Sequence, residues 1–103
     1  MHIQEDGTVT HTVLGAPVTY DPAAVLNRLV LNRRYAKLRS QHGDTEDAAW
    51  RFKVAIVQEV YRSSGHTLTA TEAGGILQLF IRGRVPYIPI LVAAQVITLD
   101  SSG

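Results

Sequence analysis

The spacing of apolar positions changes character near residue 21, from strand-like alternation to the longer repeat of helices. Over Thr8-Val9-Thr10-His11-Thr12-Val13-Leu14 the chain alternates, with Val9, His11 and Val13 on one face and β-branched residues dominating. That pattern predicts a strand with one side turned to a core. Asp6-Gly7, suited to a type I′ turn because it tolerates positive φ at both central positions, would join it to a short strand over His2–Glu5. Gly15-Ala16 reads as a second turn, of type II′, leading into Pro17–Tyr20. A hairpin or meander over about residues 2–20 is marginal in water by itself, so it must pack on the rest of the chain.

From residue 21 onward the chain reads as helix. Asp21-Pro22 supplies a capping carboxylate and a proline suited to the first helical position, and opens a helix over about 22–41. Ala24, Leu31, Tyr35 and Leu38 fall on one side of it, with Val25, Leu29 and Ala36 nearby and His42-Gly43 as the terminator. Asp44 or Thr45 caps a second helix over 46–63, whose apolar residues run nearly all the way round, leaving Arg51, Gln58 and Arg62 as the one continuous polar stripe. Such a helix is either central to its own domain or covered by another subunit, and the pattern does not separate the two. Thr69 and Glu72 have capping-box spacing and start a third helix over about 70–83, weakened by Gly74-Gly75 and stopped by Pro86. Over about 89–97, Pro89 and Ala93-Ala94-Gln95 favour a short fourth helix, against the strand preference of Ile90-Leu91-Val92 and Val96-Ile97-Thr98-Leu99. The expected fold class is α+β and mostly helical, in one domain over 1–103 with 100–103 as a loose tail.

Composition narrows the functional classes. Charged residues make up 18% of the 103, below the usual share of about a quarter, while 46% are hydrophobic. A small domain with little charge and ample apolar material has less to keep it monomeric. The net charge of +1 gives no global attraction to nucleic acid, but the charge is unevenly placed. Residues 1–21 carry Glu5, Asp6 and Asp21 and no base, whereas 22–42 carry Arg28, Arg33, Arg34, Lys37 and Arg39 and no acid. There is no cysteine, hence no thiolate metal site or cysteine nucleophile. The acidic start lacks a signal-peptide pattern, and the apolar run Val85–Ala94 is interrupted by prolines. A span needs roughly 20 apolar residues, so a soluble chain without membrane partners is expected.

Residues with chemical potential have plainer explanations. His2, His11, His42 and His66 are scattered, with no pair one helical turn apart, so no metal is expected. Asp44, Glu46 and Asp47 suit the positive end of a helix. Ser63-Ser64-Gly65-His66 reads as a turn and lacks a nucleophile elbow, and Gly74-Gly75 lacks the lysine of a phosphate loop. No catalytic residue and no cofactor is assigned.

Two function classes remain. The first is a non-enzymatic protein-interaction or structural subunit, a homo-oligomer or one component of a larger assembly, with Trp50, Val54, Val57, Tyr61, Phe80 and Tyr87 as the expected interface. Small phage or virion accessory proteins fit that class, which would place the chain in the cytoplasm or a virion, although no motif singles one out. The second is a nucleic-acid-binding or regulatory protein using the basic face Arg28, Arg33, Arg34, Lys37 and Arg39. It is the less favoured, because the segment joining the second and third helices is long for a helix-turn-helix and Gln78 is the one good base reader on the third.

Overall fold

A computed structural model of the chain describes residues 2–3, 7–41 and 45–98. Asp6 of the first expected turn, the His42-Gly43 terminator, Asp44 and the 100–103 tail lie outside the described residues. Among the described residues the elements are β1 (His2–Ile3), β2 (Val9–Val13), β3 (Ala16–Tyr20), α1 (Pro22–Val30), a 3-10 turn (Arg33–Tyr35), α2 (Ala36–Ser40), α3 (Glu46–Ser63), α4 (Ala70–Ile81) and α5 (Ile88–Ala93). The fold is α+β and mostly helical. The strands form an antiparallel sheet in the order β1-β2-β3.

The β2–β3 hairpin departs from the expected turn. Val13 pairs with Ala16, so Leu14 and Gly15 make the loop, with φ of 53° and 84°. Positive φ at both central positions is type I′, whose twist matches that of the strands, and Ala16 belongs to β3. Along β2 the expected alternation is present, with Val9, His11 and Val13 buried.

The first helix is shorter than its periodicity implies. It stops at Val30; Asn32 is extended, and its side-chain oxygen accepts from the Arg34 N–H at 2.9 Å. Asparagine competes with the helix for backbone donors in this way, and here it starts a new 3-10 turn and α2. The break changes which residues face inward. Pro22, Val25, Leu26 and Leu29 bury the inner side of α1 and Tyr35 turns into the core, while Ala24 and Leu31 are exposed. The other helix starts obey their caps. Asp21 accepts from Ala23 N–H, Thr45 from Ala48 N–H, and Thr69 and Glu72 form the reciprocal capping box. α5 ends at Ala93, and Gln95 (φ 62°) turns the chain away from further helix.

α3 is the centre of the molecule, packed against α1, α2, α4 and α5. Phe52, Val54, Ile56, Val57, Val60 and Tyr61 are buried along it. α4 packs on it closely enough that a Cβ at Gly74 would just touch a Val54 methyl, at 4.0 Å. One hydrophobic cluster joins these residues to the sheet and α5. Phe80, Leu77, Leu29, Ile56, Ile90 and Leu91 are 2% exposed or less. Burying a side chain of this size contributes roughly 1.5–3 kcal/mol.

The sheet docks through an aromatic stack. Tyr20 stacks with both His11 and Phe80, with ring centres 5.9 and 5.8 Å away and ring planes 27° and 12° apart. His11 Nε2 lies 3.2 Å from the Gly83 carbonyl oxygen. A carbonyl can only accept, so Nε2 carries the proton, and His11 is a satisfied core residue.

Burial pushes the Tyr20 and Tyr61 hydroxyls up to about 12, with Tyr87 adding to the effect on Tyr61. A proton-bearing group whose folded pKa exceeds its unfolded value of 10.0 stabilises the fold fully below that value and loses the effect as pH rises toward 12. Melting temperature is therefore expected to fall through that window. The double variant Tyr20→Phe, Tyr61→Phe should show a shallower descent; an unchanged slope would assign the alkaline loss to other groups.

Candidate functional site

The six expected interface residues do not form a surface. Val57 and Phe80 are 0% exposed, and Val54 and Tyr61 are also in the core. Trp50 and Tyr87 are half-buried and pack against it. The apolar girdle of α3 is thus covered by the chain's own helices. Val54, Val57, Tyr61 and Phe80 are corrected from interface to core, since side chains buried this deeply by the chain's own helices have little or nothing to offer a partner.

The expected basic face is also divided. Arg28 donates from Nη1 to the carbonyl of Ala94 at 2.9 Å, at the C-terminal end of α5. Arg39 donates to the carbonyl of Val30, at the C-terminal end of α1. Arg34 donates to Ser63 Oγ at 3.4 Å, beside the C-terminal end of α3. Three of the five cations thus sit at the negative ends of helices, where they satisfy or neighbour groups the helices leave unpaired. Arg33 and Lys37 remain exposed on the surface.

The residues considered for chemistry stay apart. Among the described residues no three of His, Cys, Asp and Glu are placed to hold a metal ion. Asp47 pairs with Arg51 at 3.1 Å, both exposed, and Glu59 with Arg62. Ser63 and Ser64 donate to the carbonyls of Glu59 and Val60, one turn back in α3, which uses their protons locally. They border a pocket of about 420 Å³ with Arg34, Tyr35, Val60, Pro89, Val92 and Ala93. Its apolar wall and committed hydroxyls give it no nucleophile with a base in reach. A smaller pocket of about 260 Å³ holds Asp21, which caps α1, and Arg28, which is bound to Ala94. No helix among the described residues is long and apolar enough to cross a membrane.

The conspicuous surface features are apolar ones that sequence reasoning passed over. Leu14 is 65% exposed at the hairpin tip, Leu31 64% at the end of α1, and Ile81 46% at the end of α4. Ile81 also borders an open groove of about 390 Å³ with Ala23, Leu26, Asn27 and Val30 of α1 and Lys53 of α3. Leu31 and Ile81 belong to regular apolar runs that predict burial, so only the packing distinguishes them. Leu14 was read as the end of the strand, with the turn one residue later, so only the Val13–Ala16 pairing puts it at the tip.

The chain matches no protein-family model, no curated protein sequence and no solved structure.

Proposed function

We propose that the chain is a non-enzymatic protein-interaction or structural subunit that associates with further copies of itself. The carrying observation is that Leu14, Leu31 and Ile81 are left in water, together with the apolar groove beside α1, in a chain of low charge content. Single exposed apolar residues are ordinary, but several large ones together with an unfilled apolar groove suit association. Homo-oligomers are the commonest closed solution for such a surface. Of the basic face expected for a nucleic-acid role, Arg28, Arg34 and Arg39 are hydrogen-bonded within the chain, which leaves Arg33 and Lys37 as its uncommitted part and weakens that reading.

Light scattering on a sizing column, at low and high salt and with duplex DNA and RNA added, tests the reading. A discrete oligomer that persists at high salt is expected, because apolar contacts are not screened as surface charges are. A monomer at every protein concentration, shifting only with nucleic acid at low salt, would overturn it in favour of Arg33 and Lys37.

A further inference from the structure

The pocket between the end of α3, the 3-10 turn and α5 combines an apolar wall with unspent hydrogen-bond donors. Its volume of about 420 Å³ falls within the roughly 300–1,000 Å³ of small-molecule sites. Val60, Pro89 and Val92 supply the apolar side, and Arg34, Tyr35 and Ser63 the polar side.

Tyr35 is the first of two side chains that point to a ligand. The residue is 2% exposed, and no described residue hydrogen-bonds its hydroxyl. Among the described residues no polar side-chain atom is both fully buried and without a partner. The hydroxyl must therefore reach the open space that Tyr35 lines, which is the pocket. Burial pushes this hydroxyl up, with the nearby charge of Arg34 opposing and that of Glu59 adding to the effect, so it keeps its proton and donates.

Arg34 is the second. Its contact with Ser63 Oγ at 3.4 Å uses one of the guanidinium's five N–H donors. No described carboxylate pairs with it, and Glu59, the acid nearest the Tyr35 hydroxyl, is held by Arg62. The carbonyls at the end of α3 are occupied as well. Those of Glu59 and Val60 accept from the Ser63 and Ser64 hydroxyls, and those of Tyr61 and Arg62 from the N–H groups of Ser64 and Gly65. The remaining donors of Arg34 and the Tyr35 hydroxyl are thus left for an acceptor from outside the chain.

We infer that this pocket binds a small carboxylate with an apolar body, its carboxylate held by Arg34 and the Tyr35 hydroxyl and its body laid against Val60, Pro89 and Val92. Adjacent donors require an acceptor, and a guanidinium favours one that is charged and forked. An ammonium head would instead meet the Arg34 charge. The Ser63 and Ser64 protons are spent within α3, so the site binds and orients without attacking its ligand. This binding is separate from the self-association proposed above and does not depend on it.

Benzoate, phenylacetate and butyrate serve as probes, titrated into nitrogen-15-labelled protein with backbone amide shifts as the readout. At least one should bind, with its shifts concentrated in residues 34–35, 60–64 and 89–93. Benzamide, which keeps the ring and loses the charge, should bind about tenfold more weakly than benzoate. Benzylamine should not bind. Arg34→Gln, at an exposed position, should weaken the best carboxylate about tenfold or more without changing the melt, and Arg34→Lys should restore part of the loss. Tyr35→Phe keeps the buried ring and should cost about threefold to tenfold in affinity. No shift from any of the three carboxylates at about 10 mM would overturn the inference. So would equal binding of benzamide or benzylamine, or full affinity in Arg34→Gln.

Discussion

Gly83→Ala is expected to destabilise the fold by about 3–5 kcal/mol, although it adds a single methyl group. Gly83 has φ of +65°, and a Cβ built there would lie 2.4 Å from Val9 Cγ1 in β2. The left-handed backbone alone costs alanine roughly 1–2 kcal/mol. Relieving the clash means moving β2 away from the α4–α5 corner, which also stretches the hydrogen bond from His11 to the Gly83 carbonyl. Gly75→Ala is the matched control. It lies within α4 with nothing within 4 Å of the new methyl, and replacing a helical glycine there should stabilise by about 0.5–1 kcal/mol. Urea denaturation of both variants separates the cases. The Val9→Ala background should recover part of the Gly83→Ala loss, because it removes the clashing methyl. Equal effects at the two glycines, or no recovery in that background, would show that the corner is not clamped to β2.

Those two glycines also mark how far the fold can be read from the chain. Features set by neighbours in sequence were legible. The β2 alternation, the Asp21 and Thr45 caps and the Thr69–Glu72 box each depend on chemistry within a few residues, and all appear in the structure. Features set by long-range contacts were not. The apolar circumference of α3 is the same whether its own helices or a second chain cover it, so Val57 and Phe80 could be read as interface when both are core. Asn32 lay hidden inside an unbroken helical period, and its cap on Arg34 ends the run that would have carried the basic residues on one helix. The arginines likewise gave no hint that Arg28 and Arg39 serve the C-terminal ends of α5 and α1, since their targets are backbone carbonyls. The exposure of Leu31 and Ile81 was illegible for a related reason: an apolar position in a helical repeat predicts burial, and which repeat goes uncovered depends on the finished packing.

Val57→Asp should therefore unfold the chain instead of releasing a folded monomer. Val57 is 0% exposed on the central helix, and Phe80 and Leu77 of the adjoining α4 are equally buried in the same cluster. A carboxylate placed there must either stay charged without a partner or take up a proton and remain poorly hydrogen-bonded. Either course, with the lost packing, is expected to cost about 4–5 kcal/mol or more. A domain of this size has about 5–15 kcal/mol of total stability, so much or all of it would be removed. Circular dichroism and thermal melting should show a chain with reduced helix content and no cooperative transition. Surface changes should behave differently: Leu14→Asn and Ile81→Glu should keep the helical spectrum and a cooperative melt, whatever they do to association. A Val57→Asp variant that is helical, melts cooperatively and is monomeric would return α3 to the role of intersubunit seam. An unfolded Val57→Asp beside folded Leu14→Asn and Ile81→Glu would separate the residues that build this domain from those it leaves available to a partner.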